Sequence, residues 1–516
     1  MGLRIVLALA GTLILFTCTK KTPPSELAES TGVPVKEYAE KYRPQLHFSP
    51  PAHWMNDPNG LVYLDGEYHL FYQYYPEDII WGPMHWGHAV TKDLVHWINL
   101  PIALAPDSLG MIFSGSAVVD KTNTSGFGSA ENPPMVAMFT YHNAGREKLG
   151  TDDHETQGLA YSIDKGRTWT KYEHNPVIGN HGMKDFRDPK MFWHEASKQW
   201  IVTIVAGDHA QFHGSKDLKS WKKLGEFGQG YGSHDGVWEC PDLFPLTIAG
   251  EKKQKWILIV NINPGGPNGG SGTQYFIGDF DGKKFTTDQK KTKVSWIDYG
   301  PDNYAGITWS GAPNGRTLLI GWMSNWSYAQ QVPTSTWRSA NTVARELKLV
   351  RLNGELVVAS EVVPELETAG SLGKVISKSV TDSLEIVNDF STGIIKGSIE
   401  AKDWEIKLSN QKHERVVIGF EALKNRFYID RSASGDTNFS KVFAVRSYAP
   451  RISKSKSISF SMVVDVSSVE IFFDEGVTVM TSIFFPDTVM SKVSLVPKAS
   501  PLQADSISVE MISSIW

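Results

Sequence analysis

The sequence predicts an all-β protein, built as a five-bladed β-propeller followed by a C-terminal β-sandwich. From residue 46 onward, short alternating runs such as 66–72 lie between Gly, Asp and Asn turns, a pattern typical of strands. A strand–turn–strand motif with an aromatic end recurs along this region. The motif ends at Trp97, Trp169, Trp221 and, in a weaker form, Phe285. Irregular repeats of about 60 residues, each holding several short strands, are typical of propeller blades. A β-sandwich of similar length is the structural alternative.

A change in composition marks a second domain. The last part of the chain has less Gly and Trp, and segments such as 457–464 alternate Val, Ile, Ser and Phe. Strands with one buried face are typical of an antiparallel sandwich. The boundary is expected between Arg351 and Gly370. We divide the chain into a propeller over 46–355 and a sandwich over 356–516.

The N-terminus has the pattern of a lipoprotein signal peptide over 1–18. Arg4 precedes an apolar run over 5–16, shorter than the ~20 residues that a membrane-spanning helix needs. Residues 15–18 resemble a bacterial lipoprotein cleavage box, in which Cys18 becomes the lipidated first residue. An ordinary cleaved signal with a chance cysteine is the alternative. Residues 19–45 are polar and predict a tether, so we expect lipid anchoring in a bacterial cell envelope, on the periplasmic side or the cell surface.

Composition excludes several function classes. The chain has 516 residues, of which 41% are hydrophobic, and 51 basic against 56 acidic residues. No Lys/Arg block breaks this balance, so a nucleic-acid partner is not expected. Two cysteines exclude a disulfide scaffold and a Cys-rich zinc site. His85 and His88 lack further ligands for a metal, and the glycine-rich stretch 265–272 lacks the ending of a phosphate loop. We expect no metal and no cofactor.

Polar and aromatic clusters begin each proposed blade. Because the first strand of a blade lines the propeller axis, Asp57, Asp188 and Glu239 are expected to converge at one funnel mouth. Carboxylates on either side of a sugar are what glycosidic cleavage requires, one to attack or activate water and one to protonate the leaving oxygen. The spacing leaves other roles open: Asp57 as a turn residue, Asp188 as a salt-bridge partner of Arg187, and Glu239 as a strand-end charge.

The motifs themselves resemble glycoside hydrolase family 32, which contains levanases, inulinases and invertases. The resemblance rests on WMNDPNG at 54–60, FSGS at 113–116, RDP at 187–189 and ECPD at 239–242. It implies a propeller plus sandwich, and retaining hydrolysis that releases fructose from the non-reducing ends of levan or inulin, and from sucrose. An endo-acting levanase or a dedicated invertase is the alternative within the family. An arabinan-type propeller glycosidase and a non-catalytic fructan-binding lipoprotein are remote alternatives.

The same resemblance implies roles for individual residues. Asp57 would be the nucleophile, Glu239 the acid/base, and Asp188 the residue that stabilises the transition state by holding fructosyl hydroxyls. The expected substrate-binding residues of the fructose pocket are Trp54, Asn56, Gln73, Trp81, Phe113, Ser114 and Arg187. The expected residues of the pocket rim are Asp302, Trp326 and Trp337.

Overall fold

The computed structural model describes residues 38–129, 131–373 and 375–516. The predicted signal peptide and Cys18 lie outside these residues, as does most of the predicted tether. Within the described ranges, no helix has the length and apolar character needed to cross a membrane.

Five antiparallel sheets follow one another along the first part of the described chain, and they confirm the propeller. The first blade holds β1 (His53–Leu64), β2 (Glu67–Tyr75), β3 (His85–Thr91) and β4 (Ile98–Leu104). The second holds β5 (Met111–Val119), β6 (Met135–His142), β7 (Glu155–Ser162) and β8 (Thr170–Lys171). The third holds β9 (Phe186–His194), β10 (Gln199–Ala206), β11 (His209–Ser215) and β12 (Lys222–Phe227). The fourth holds β13 (Val237–Thr247), β14 (Gln254–Asn263), β15 (Gly272–Phe280) and β16 (Phe285–Thr286).

The fifth blade closes the ring. It holds β17 (Tyr304–Thr308), β18 (Leu318–Trp322), β20 (Arg345–Leu352) and β21 (Glu355–Val362). Between β18 and β20, the short strand β19 (Trp337–Arg338) leaves this blade and pairs in parallel with β1. The chain therefore joins its last blade to its first through main-chain hydrogen bonds. The first strands of neighbouring blades contact one another around the axis.

The remaining strands form two packed sheets, as predicted for the C-terminal part. One sheet contains β22 (Gly370–Leu372), β23 (Ile376–Val380), β25 (Gly393–Glu400), β30 (Ser457–Asp465), β31 (Ser468–Phe473), β32 (Thr478–Ile483) and β34 (Leu502–Ile512). The other contains β24 (Leu384–Asn388), β26 (Trp404–Ser409), β27 (Arg415–Glu421), β28 (Arg426–Ala433), β29 (Arg446–Pro450) and β33 (Lys492–Pro497). The expected boundary at 355 falls at the start of β21, so we place the end of the propeller at Val362.

Helices are short and lie in connections. Those in the described ranges are α1 (Ala144–Lys148) and α2 (Pro364–Thr368), with 3-10 turns at Glu195–Ser197, Pro313–Gly315 and Ala329–Gln331. Alternation of apolar residues along the sandwich strands builds a core between the two sheets. Trp404, Phe427 and Phe473 lie fully buried in it, and the last two rings stack with centroids 3.8 Å apart.

Buried charges join the propeller to the sandwich. His47 bonds Asp465 through Nδ1 at 2.7 Å and Glu470 through Nε2 at 2.8 Å. Burial alone would lower the pKa of His47, but these two carboxylates raise it to about 9. Arg345 of the fifth blade also contacts Glu470, and its Nη1 lies 2.9 Å from Oδ2 of Asp298. Each buried charge therefore has partners, as the low dielectric of an interior requires.

Candidate active site

A β-bulge interrupts the first strand of every blade. A bulge adds a residue to one strand, so that successive side chains can be aimed at the same region. The interruptions lie at Met55/Pro58 in β1, Ile112/Gly115 in β5, Arg187/Lys190 in β9, Glu239/Asp242 in β13 and Tyr304/Ile307 in β17. Asp188, Cys240 and Ala305 take positive φ angles of 62°, 42° and 52° at the last three. The repeated bulge explains how each blade presents polar side chains at the axis.

Two of the predicted carboxylates meet across the thiol of Cys240. Asp57 accepts hydrogen bonds from Asn56 Nδ2 at 2.9 Å and from Ser114 Oγ at 2.7 Å. Oδ2 of Asp188 accepts the main-chain N–H of Cys240 at 2.9 Å. The Cys240 sulfur lies 3.5 Å from Oδ2 of Asp57 and 3.6 Å from Oδ2 of Asp188. Strands from the first, second, third and fourth blades thus meet at one point.

Glu239 is held from both of its oxygens. Arg187 donates to Oε1 from Nε at 3.2 Å and from Nη2 at 3.1 Å, and the hydroxyl of Tyr304 donates to Oε2. Burial raises the pKa of Glu239, and the nearby charge of Asp57 adds to the rise. Arg187 and Tyr304 oppose it without cancelling it. The balance favours a protonated acid at higher pH than an exposed glutamate allows.

Asp188 shares this environment. Burial raises its pKa, Arg187 opposes the rise, and the carboxylates of Glu239 and Asp57 add to it. Because like charges at such short range cannot both be ionised cheaply, Asp188 and Glu239 titrate as a coupled pair. The site therefore retains protons near neutral pH, which an acid catalyst needs.

The three carboxylates lie in a cavity of about 310 Å³, a volume at the lower end of small-ligand sites, which span about 300–1,000 Å³. Most of the predicted pocket residues line it. These are Asn56, Gln73, Trp81, Phe113, Ser114, Arg187 and Trp326. Trp81 is 36% exposed and meets Phe113 edge-on, with ring centroids 6.1 Å apart. The cavity thus combines polar groups with aromatic walls, as a sugar site requires.

The propeller axis is closed beneath this cavity. Lys190 of β9 is buried with its Nζ 3.3 Å from Oδ2 of Asp242 in β13, and it donates to the carbonyl of Thr308 in β17. Asp242 also accepts the main-chain N–H and the hydroxyl of Thr308, each at 2.7 Å. A void of only about 10 Å³ lies next to Lys190 and Asp188, which both line it. A sugar chain therefore cannot thread through the axis.

Trp54 does not line the cavity. It is fully buried, and its indole Nε1 donates to Oδ1 of Asn56 at 2.7 Å. Its ring stacks on Trp326, with centroids 5.8 Å apart. The predicted substrate contact is therefore replaced by a supporting one, in which Trp54 orients Asn56 beside Asp57.

The expected rim positions of Asp302 and Trp337 are wrong. Asp302 is fully buried and binds Arg431 of the sandwich, with Nη1 2.5 Å from Oδ2. A carboxylate buried at a domain interface needs such a partner. Trp337 is 4% exposed and packs under the guanidinium of Arg43, 4.4 Å from the ring centroid. Asp302 thus stabilises the contact between propeller and sandwich, and Trp337 packs against the segment that precedes the first blade.

Several residues of the site were missed by the sequence analysis, among them Tyr304, which bonds Glu239 without lining the cavity. Tyr304 lies in a polar–aromatic cluster that begins a blade, which was the available signal. His142 and Glu155 come from the ends of β6 and β7, inner strands of their blade that no motif marked. Asp185 binds Arg187 Nη1 at 2.8 Å. The remaining missed lining residues are Glu147, His154, Lys184 and Gln330.

One trio in the cavity is close enough to meet a single metal ion. Ligand atoms of His142, His154 and Glu155 all lie within 4.8 Å of one another. Each is already engaged. Both oxygens of Glu155 accept from Arg187 at 3.3 Å, His154 Nδ1 bonds the carbonyl of Thr151 at 2.7 Å, and the two nitrogens of His142 bond Glu155 and Glu147. These contacts favour an internal ion-pair network over a metal centre.

Comparison with known proteins gives family matches for both domains. Residues 47–360 match the N-terminal domain of glycosyl hydrolases family 32, and residues 350–512 match the C-terminal domain of the same family. A levanase of Bacillus subtilis is 45% identical over 93% of this chain and 72% of its own length. An extracellular exo-inulinase of Aspergillus niger is 38% identical over 93% of this chain and 96% of its own.

Solved structures of similar proteins have the same overall fold. The crystal structure of an exo-inulinase from Aspergillus awamori superposes with a TM-score of 0.85 at 35% identity, covering 93% of this chain and all of that one. A fructofuranosidase from Schwanniomyces occidentalis, solved with fructose, gives a TM-score of 0.83 at 32% identity, covering 93% of this chain and 100% of that one. With both of its domains matched and its cavity built from the motif residues, the chain belongs to glycosyl hydrolase family 32.

Proposed function

We propose that this protein hydrolyses β-fructosyl linkages and releases fructose from the non-reducing ends of fructans, and from sucrose. The observation that carries the proposal is the convergence of Asp57, Asp188 and Glu239 with Arg187 in one cavity. Relatives named levanase and exo-inulinase, at 45% and 38% identity, support the same substrate class.

Each carboxylate has a distinct part in the proposed reaction. Asp57 attacks the anomeric carbon of the terminal fructose, while Glu239 gives its proton to the departing glycosidic oxygen, so that a fructosyl–enzyme ester forms and the rest of the chain leaves. Glu239 then takes a proton from water, which attacks the same carbon and restores Asp57. Two inversions give net retention. Asp188 stabilises the transition state by holding hydroxyls of the fructosyl ring.

Exo action follows from the shape of the cavity. The Lys190–Asp242 pair closes the axis beneath the carboxylates, and Gln73 and Asn56 lie buried in the cavity wall. A cavity of about 310 Å³ that is closed beneath its catalytic groups fits one terminal sugar unit better than the middle of a chain. The enzyme therefore removes terminal units one at a time.

We further propose that the protein is exported and held at the cell envelope by a lipid on Cys18. The signal-like pattern of residues 1–18 and the polar stretch that follows support this location. A diacylated cysteine carries two chains, which is enough for stable anchoring. Aspergillus relatives are named as extracellular enzymes, so an exported protein fits the substrate, a polymer found outside the cytoplasm.

Timed product analysis on sucrose, inulin and levan tests the proposed function. We expect free fructose as the first product from each polymer, with the remaining chain shortening gradually. Proton NMR of the first turnovers should show β-fructofuranose before it equilibrates in water, as retention requires. Early release of larger oligosaccharides would refute exo action, and first-formed α-fructofuranose would refute the double displacement.

A further inference from the structure

Arg187 is held between two groups of carboxylates. On one side it bonds Glu239 through Nε and Nη2. On the other side, Nη1 donates to both oxygens of Glu155 at 3.3 Å and to Oδ1 of Asp185 at 2.8 Å. Burial alone would lower the pKa of Arg187, but the surrounding carboxylates hold it well above its usual value. The guanidinium stays charged, and its field is divided between the two sides.

Glu155 is built into the protein as a permanent anion. Its side chain is 2% exposed, and its Oε1 lies 3.2 Å from Nδ1 of His142. Burial alone would raise the pKa of Glu155, but Arg187 and His142 together lower it to about 2. The ring of His142 stacks on Phe113, with centroids 4.3 Å apart and planes 11° apart. Glu155 thus contacts Arg187 on one side and His142 on the other, and the His142 ring packs on Phe113 in the cavity wall.

We propose that Glu155 is a positioning residue that keeps Glu239 protonated, and so able to donate its proton, over the working pH range, by neutralising Arg187 from the side opposite Glu239. The inference rests on the proposed role of Glu239 as the acid. Arg187 favours the charged form of Glu239, which is the wrong form for proton donation. A second anion on the guanidinium weakens that effect while leaving the geometry of the Arg187–Glu239 contact in place.

Other charged and titratable groups face the same atoms, and they set the baseline against which Glu155 acts. Those facing Glu239 are Asp57, Asp188, Tyr304 and Arg187. Those facing Arg187 and Glu155 are Asp185, His142 and His154, with Glu147 on the far nitrogen of His142 at 3.1 Å. Removing the charge of Glu155 leaves all of these in place. The field of Arg187 at Glu239 then becomes less compensated, and the pKa of Glu239 falls.

The test is the pH profile of kcat/KM for Glu155→Gln and Glu155→Asp in the full chain. Glu155→Gln keeps the size and an oxygen acceptor for Arg187 but removes the charge. Glu155→Asp keeps the charge and changes the reach. The alkaline limb is the part of the profile in which kcat/KM falls as the pH rises. With the fastest natural substrate, we expect the alkaline limb of Glu155→Gln to move to lower pH by roughly 0.5–1 unit. We expect Glu155→Asp to keep the wild-type limb even where its kcat is lower. Glu173→Gln removes an exposed carboxylate, 81% accessible, and serves as the matched control with an unchanged profile.

The outcomes separate this inference from the proposed function. An unmoved limb in Glu155→Gln overturns the inference, as does an equal shift in Glu155→Asp, because geometry rather than charge would then be responsible. If Glu155→Gln does not fold, a shifted limb in Glu155→Asp alone overturns it, and a wild-type limb there supports it. An aryl β-fructofuranoside with a good leaving group tests the acid itself. If wild-type enzyme keeps the same alkaline limb on that substrate, the role of Glu239 fails, whatever the variants show.

Discussion

Tyr304 gives the most direct test of how the acid is tuned. Its hydroxyl donates to Oε2 of Glu239, and burial, together with Glu239, holds the pKa of Tyr304 well above its usual value. The hydroxyl is therefore a donor throughout the working range. Tyr304→Phe removes that donor and keeps the ring, which packs edge-on against Trp322 with centroids 6.4 Å apart.

The size of the effect follows from the bond that is lost. A hydrogen bond to a charged group is worth about 1.5–3 kcal/mol, and one pKa unit corresponds to about 1.4 kcal/mol. The bond favours the ionised form of Glu239, so its loss should raise the pKa of Glu239 by about 1–2 units. Since Glu239 donates a proton, the enzyme stays active to higher pH, and the alkaline limb moves up by the same amount.

The assay is kcat/KM against pH with sucrose or the preferred fructan. Tyr172→Phe removes a hydroxyl from a ring outside the cavity lining and should leave the profile unchanged. An alkaline limb that stays fixed or moves down in Tyr304→Phe would refute the tuning argument. The predicted shift is opposite in sign to that of Glu155→Gln, because one variant removes a donor to Glu239 and the other strengthens the cation beside it.

Two further predictions concern the reaction and the location. Glu239→Ala should lower turnover of natural substrates by several orders of magnitude and recover most of its fructosyl transfer rate on an activated aryl fructoside, where protonation is dispensable. Asp57→Ala should show no such recovery, and equal losses of Glu239→Ala on both substrates would contradict the acid role. Cys18→Ala, made in bacterial cells with the N-terminal segment present, should release the enzyme from the membrane pellet into the soluble fraction. Protein that stays in the pellet after this change would disprove the anchor.

The sequence was informative where function and fold use the same local pattern. Asp57, Asp188 and Glu239 stand in the first strands of the first, third and fourth blades, and the repeated blade pattern predicted that they meet at the axis. What remained hidden was the bulge in each of those strands. In a regular strand Glu239 and Cys240 would face opposite sides, but the bulge brings the Cys240 sulfur to 3.5 Å from Asp57.

Long-range partners could not be predicted from local pattern. Asp302 begins the fifth blade in the same way as the catalytic carboxylates begin theirs, so pattern placed it at the pocket. Its partner Arg431 is 129 residues away in the other domain, and nothing near Asp302 in sequence signals that pairing. Glu155 presents the opposite case, since it has no motif around it, and its contact with Glu239 runs through Arg187.

The charge around Arg187 explains why the same cavity can hold both a nucleophile and an acid. Four carboxylates contact its guanidinium, those of Glu155, Asp185, Asp188 and Glu239. One positive charge cannot balance four negative ones in a low-dielectric cavity, so protons remain on the members whose burial and neighbours favour the neutral form. Asp57 stands apart from this group and is oriented by neutral donors, Asn56 and Ser114. Protons are thus retained by Asp188 and Glu239 while Glu155 stays ionised, and the enzyme loses its acid when alkaline pH removes the proton of Glu239.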